Sequence, residues 1–145
     1  MDSRRTKVMV DTNVLVDYLI PTRECHAAAL DLFSLIWAVR IEAAFSTQSM
    51  LDAAYVCRRQ SASPGFRHVL LELLHRTNAS YIDTGDMSQA LRDPNSDIED
   101  SAHIAFAENQ CCDVIVTNDK KLLARKAPAP IKIMTPEAFM KSCYA

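Results

Sequence analysis

The sequence predicts an α/β chain, a three-layer α/β/α sandwich around a central parallel sheet of about five strands. Three observations predict it. Short apolar runs, bounded by turn-forming or capping residues, alternate with segments of helical periodicity along the chain. The chain has 145 residues, 49% of them hydrophobic, which suits one core and a single domain over residues 1–145. No internal repeat, low-complexity tract or linker-like stretch divides it.

Lys7–Val10 reads as the first strand, and Asp11-Thr12-Asn13, all good N-cap types, precede the apolar helix over residues 14–20. Pro21-Thr22 ends that helix. A second is expected over residues 26–39, with Leu30, Phe33 and Trp37 on one stripe. Residues 43–46 form a short buried strand. A third helix follows over residues 48–59, with Leu51, Ala54 and Tyr55 facing the core.

After a loop at residues 61–65, a fourth helix over residues 66–75 carries Phe66, Val69, Leu70, Leu73 and Leu74. Residues 80–82 read as a strand, and Asp86 caps a short helix reaching Leu91. A turn containing Asp93-Pro94 leads into a helix over residues 96–109, with Ile98, Ala102, Ala105 and Phe106 inward. Val114–Val116 is a strand, Asn118-Asp119 opens a short helix around Leu122-Leu123, and residues 131–134 are the last strand. Thr135-Pro136-Glu137 starts the final helix by the N-cap, proline-at-N1 and early-acid rules. Short strands separated by helices imply parallel pairing through crossovers.

Composition excludes several function classes. The formal net charge of −2 excludes a wholly basic nucleic-acid binder, so any polyanion contact comes from local patches. No apolar run approaches the roughly 18 residues of a membrane span. The opening MDSRRTK leads straight into VMV without a signal-peptide hydrophobic region, so a soluble, cytoplasmic protein is expected. Five cysteines, Cys25, Cys57, Cys111, Cys112 and Cys143, show no CxxC spacing and read as structural thiols. Gly65 and Gly85 are the only two glycines. Glycine-rich dinucleotide and phosphate-binding loops, and the GxSxG elbow, need more than that.

Four aspartates fall where a strand or an apolar helix ends or begins: Asp11, Asp52, Asp100 and Asp119. In a parallel sheet, functional groups gather beyond the carboxyl ends of the strands. Two like charges about 6 Å apart repel by roughly 3 kcal/mol at an effective dielectric near 20. A cluster of these acids therefore calls for a cation or for protons, and the pattern points to a divalent-metal site. The plain alternative for Asp11 and Asp119 is helix capping, and for Asp52 a solvated helix position. In Ser96-Asp97-Ile98-Glu99-Asp100, Ser96 and Glu99 fit a capping box, and Asp97 and Glu99 favour the helix N-terminus. Asp100 is left outside both roles, with Asp97 three residues away on the same face as an accessory acid.

Asp11-Thr12-Asn13, Asp52-Ala53-Ala54-Tyr55, Asp97-Ile98-Glu99-Asp100 and Ile115-Val116-Thr117-Asn118-Asp119, closed by Thr135-Pro136-Glu137-Ala138-Phe139, resemble the PIN domain family of nucleases. The likeness runs over about residues 7–140. It implies a PIN-like fold with a central parallel sheet, frequent homodimers, and metal-dependent ribonuclease activity. Many such proteins are VapC-type toxins of toxin–antitoxin pairs, so an antitoxin protein is an implied partner beside RNA. The family's acidic quartet falls on Asp11, Asp52, Asp100 and Asp119 as catalytic residues. Asp11, Asp100 and Asp119, with Asp97 as accessory, would hold one or two Mg²⁺ or Mn²⁺ ions, which suit oxygen ligands. Two departures stand out: Asp52 where many relatives carry glutamate, and Lys120-Lys121-Leu122-Leu123 where relatives often have an aromatic residue.

Asn13 and Thr117 are expected to hydrogen-bond the ligating carboxylates. An acidic site repels RNA, so phosphate contacts are sought at Arg58, Arg59, Arg67, Lys120, Lys121, Arg125 and Lys126. Tyr55 and Trp37 are assigned to the core, and His26, His68, His75 and His103, lacking metal spacing, to no catalytic part. A phosphoacceptor receiver domain would want adjacent acids after the first strand and a lysine after the last. A haloacid-dehalogenase-type phosphatase would want an acid where Asn13 stands. The rival of another class is a catalytically silent PIN-like module that binds nucleic acid or protein. Cleavage abolished by a chelator separates the enzyme from that module.

Overall fold

A computed structural model describes residues 4–60, 63–95 and 97–144. Five strands, β1 (Lys7–Val10), β2 (Glu42–Ser46), β3 (Asn78–Ser80), β4 (Val114–Val116) and β5 (Lys132–Met134), form one sheet in the order β3-β2-β1-β4-β5. All four pairings are parallel, with Met9 opposite both Ala44 and Ile115.

Eight helices connect and flank the strands among the described residues: α1 (Thr12–Leu19), α2 (His26–Trp37), α3 (Thr47–Val56), α4 (Pro64–Arg76), α5 (Thr84–Arg92), α6 (Ile98–Asn109), α7 (Lys120–Leu123) and α8 (Pro136–Tyr144). Side chains alternate across a strand. Val8 and Val10 accordingly join Leu15, Phe33, Met50, Leu73 and Phe139 on one face. Met9 joins Ile104, Phe106 and Leu122 on the other. Both faces are covered, which is the expected three-layer sandwich and explains why Val8–Val10 of β1 and Val114–Val116 of β4 read as unbroken apolar runs.

The chain steps from β1 outward to β2 and β3, then returns to build β4 and β5 on the opposite side of β1. The strand order reverses between β1 and β4. Open α/β sheets form a crevice beyond the carboxyl ends at such a point, and Asp11 and Thr117 are the residues that follow those two ends.

Several expectations about facing are corrected. In α3 the buried residues are Ser49, Met50 and Ala53, whereas Leu51 and Tyr55 are exposed. α3 packs against α1, and its buried face is built from Ser49, Met50 and Ala53 instead of Leu51 and Tyr55. Leu30 and Ile98 are also exposed, and α2 buries the expected Phe33 together with Ala29, Leu32 and Ile36. Leu74 is exposed at the far side of α4, which starts at Pro64 behind a Ser63 cap. α5 starts behind Asp83, with Asp86 at its third position completing a capping box, so Asp86 is not itself the cap. Asp97 caps α6; the expected Ser96 partner of Glu99 lies outside the described residues, as do residues 61–62 of the expected loop. Cys25, Cys57, Cys111 and Cys112 are free thiols. Burial pushes the Cys112 thiol up to about 12, which leaves it unreactive. No helix among the described residues is long and apolar enough to cross a membrane.

Candidate functional site

The backbone leaving β1 turns into α1 at Asp11, whose extended conformation makes it the helix N-cap. Its Oδ1 accepts the Thr12 N–H at 2.8 Å. Its Oδ2 accepts from Asn13 Nδ2 at 2.9 Å and from the Thr117 hydroxyl at 2.7 Å. Asn13 Oδ1 in turn accepts the Asn118 N–H at 3.0 Å, and Thr117 Oγ1 accepts the Asp119 N–H at 3.0 Å. The ends of β1 and β4 are thereby tied together by the residues the sequence nominated to orient Asp11. Capping and a place in the cleft coincide at Asp11, and likewise at Asp119, which caps α7 through the Lys121 N–H.

Sequence reasoning missed Asp17. It is buried on α1, where Oδ1 accepts from Arg23 Nε and Oδ2 from Asn118 Nδ2, both at 3.0 Å. That carboxylate pins the turn carrying Asp119 and draws Arg23 to the rim. Only its position on the buried stripe of α1 hinted at this.

Asp11, Asp52, Asp97, Asp100 and Asp119 all line one cleft of about 730 Å³. Glu99, His103, Tyr55, Arg23 and Lys121 complete its walls. Asp52 is half-buried and accepts from Gln48 Nε2 at 2.9 Å. Tyr55 faces this cleft instead of the core, with 70% of its surface exposed. Burial first, then the charges of Asp97 and Asp119, push the Asp100 carboxyl above its ordinary range, while His103 and Arg125 pull it down. The cleft thus disfavours the negative charge of Asp100.

His103 does not stand apart from this cleft, as its sequence spacing suggested. The ring is buried in the wall one turn after Asp100, and Nδ1 lies 3.5 Å from Asp11 Oδ1. Arg125 is also placed differently. It bonds Asp93 at 2.8 Å and the Ser101 hydroxyl at 3.1 Å, so it braces α6 from behind instead of facing solvent. Arg58 and Arg59 line a shallow recess beside the cleft, sharing Arg23 with it.

The raised Asp100 value gives a stability prediction. The folded state holds that proton more tightly than the unfolded chain does. The contribution is therefore present below about 3.8, the ordinary value, and lost as pH rises through the raised one. Without divalent ions, Asp100→Asn is expected to stabilise the protein near neutral pH by roughly 1 kcal/mol, after screening of the like charges. That corresponds to a Tm rise of about 2–4 °C. The gain closes as the pH approaches that of a protonated carboxyl. Melts in chelator at acidic and neutral pH check this, and a lower neutral-pH Tm for the variant contradicts it.

The sequence profile of the PIN domain matches residues 7–121. The chain belongs to the PIN domain family. The match spans β1 through the start of α7, including every acid of the cleft. No curated protein matches the chain by sequence. Among solved structures, VapC20 of Mycobacterium tuberculosis, a sarcin–ricin loop-cleaving toxin, superposes with a TM-score of 0.62 at 14% identity, covering 79% of this chain and 92% of that one. VapBC2 of Rickettsia felis, solved bound to a DNA fragment from its promoter, gives 0.60 at 14% identity over 88% and 98%. FitAcB of Neisseria gonorrhoeae gives 0.58 at 16% identity over 90% and 98%. At these identities the likeness establishes the PIN fold, and the chemistry has to be argued from the cleft.

Proposed function

We propose that this PIN domain is a metal-dependent endoribonuclease that acts in the cytoplasm as the toxin of a toxin–antitoxin pair. One observation carries the reading: Asp11, Asp52, Asp100 and Asp119, from four separate segments, line a single cleft at the point where the strand order reverses. The solved toxins that share the fold support it.

Among the described residues, no group of three or more His, Cys, Asp or Glu side chains is arranged to hold a metal ion by itself, so water has to supply part of any ion's shell. The donors fit a hard divalent cation that keeps several waters, such as Mg²⁺ or Mn²⁺, better than a structural zinc cage. Asp11, Asp100 and Asp119 would hold it, directly or through water, with Asp97 as accessory acid and Asp52 completing the cluster. When bound, the ion supplies positive charge at the scissile phosphate and lowers the pKa of a water for in-line attack. Asn13 and Thr117 hold the Asp11 carboxylate in one orientation. Arg23 and Lys121 at the rim, with Arg58 and Arg59 beside it, offset the repulsion between acids and RNA. The new bond joins water oxygen to phosphorus and the bond to the 3′ oxygen breaks, leaving a 5′-phosphate and a 3′-hydroxyl.

Purified protein with RNA and Mg²⁺ or Mn²⁺ tests this directly. Cleavage to 5′-phosphate ends, abolished by a chelator and restored by the ion, is the expected result. Ion-dependent stabilisation with no cleavage of any RNA favours the silent binding module instead.

The antitoxin partner and a homodimer belong to the same proposal. Exposed Val56 in the cleft wall and exposed Tyr81 in the adjoining recess are apolar surface that a partner could cover. Sedimentation at micromolar concentration is expected to give twice the chain mass; a monomer at every concentration removes the homodimer.

A further inference from the structure

His103 and Thr12 are cleft-wall residues that each carry a buried side-chain polar atom without a hydrogen-bond partner, and of the two His103 is the one with a metal-ligating nitrogen. It sits inside α6 among Ala102, Ile104 and Ala105, a stretch otherwise devoted to small and apolar contacts, and only 5% of its surface is exposed. Its Nδ1 is buried and has no hydrogen-bond partner, although burying such a nitrogen unpaired is costly. Asp11 Oδ1 lies 3.5 Å away, beyond the roughly 2.7–3.2 Å of a nitrogen-to-oxygen hydrogen bond. Two donors on one small cation, with bonds near 2.1 Å, stand about 3.0–3.4 Å apart. The observed spacing is wider than a direct bond, and the two donors would have to close by only about 0.1–0.5 Å to share an ion.

The partners of Asp11 point the same way. Its Oδ2 is occupied by Asn13 and Thr117, whereas Oδ1 accepts only the Thr12 N–H and faces His103. Asp100, three residues before His103, shares its helix face and lines the same cleft. With its proton on Nε2, a neutral imidazole offers a lone pair at Nδ1.

We propose that His103 Nδ1 is a direct ligand of the cleft's divalent ion, paired with Asp11 Oδ1 and with water completing the shell, and that the site therefore prefers first-row transition ions over Mg²⁺. The inference rests on the reading that the cleft binds a divalent cation. An oxygen-only set discriminates weakly between Mg²⁺ and Mn²⁺. One imidazole shifts the balance along the first-row order and away from Mg²⁺.

Electron spin-echo spectroscopy of Mn²⁺ bound to the full chain reads the ligand without using activity. Nitrogen modulation is expected in the native protein, with its frequencies changed when histidine carries the heavy nitrogen isotope. Calorimetry is expected to show Mn²⁺ binding at least about 10-fold tighter than Mg²⁺. His103→Gln is expected to abolish the modulation and weaken Mn²⁺ binding by about 10–100-fold, with Mg²⁺ affinity changed far less. Should that variant not fold, replacing His26, His68 and His75 with glutamine leaves the cleft untouched, and the modulation must persist. Mn²⁺ that binds without nitrogen modulation, or modulation surviving in His103→Gln, overturns the assignment while leaving the cation site intact. No binding of either ion overturns both.

Discussion

Replacing Asp11 with asparagine is expected to lower kcat for RNA cleavage by about 10²–10⁴-fold while leaving the fold in place. The side chain does two jobs that the substitution separates. As N-cap of α1 it needs an oxygen acceptor for the Thr12 N–H, and asparagine supplies one almost equally well. As a cation donor it needs negative charge, which asparagine lacks. The hydroxyl of Thr117 can turn to accept from the new amide, so the tie between β1 and β4 survives in altered form. Loss of cleavage with a Tm close to that of the native protein, and with no further rise on adding Mn²⁺, is the expected combination. Wild-type turnover in a folded Asp11→Asn protein would remove the metal mechanism altogether. Asp52→Asn is expected to cost less, because Asp52 is only half-buried and already shares its charge with Gln48.

The parts legible in the sequence share a physical cause. β1 and β4 are covered on both faces, so Val8-Met9-Val10 and Val114-Ile115-Val116 stand out as apolar runs. The acids follow those runs directly or after a short turn, and strand ends are where an open parallel sheet exposes functional groups. What the sequence hid depends on contacts between distant segments. Ser49 and Ala53 look unremarkable, yet they lie on the buried face of α3, and Tyr55 lines the cleft instead. Arg125 looks like a surface cation until Asp93 and Ser101 are seen to hold it. His103 shows no metal spacing in the sequence because its neighbour across the gap, Asp11, lies far away in the chain at the cap of α1. Periodicity reports which face of an element is buried, and says nothing of which polar group meets it there.

Phe33→Ala is expected to lower stability by about 3–5 kcal/mol, the cost of deleting a buried aromatic ring and leaving a cavity. Phe33 is fully buried on α2, stacked on Tyr18 of α1 with ring centroids 3.9 Å apart and planes 5° from parallel. Phe45 of β2 approaches its other side at 6.0 Å. The ring therefore holds α1 against the sheet, and a domain of this size should lose about 6–20 °C of Tm. The hydrogen bonds that fix Asp11 run instead to Thr12, Asn13 and Thr117, at the opposite end of α1 from Tyr18. In the temperature range where Phe33→Ala remains folded, its Mn²⁺ affinity should match that of the native protein. Calorimetry at low temperature, paired with thermal melts, reads both quantities on one sample. A fall in ion affinity that tracks the lost stability would mean that the cleft is held open by the aromatic stack and not by its own polar network.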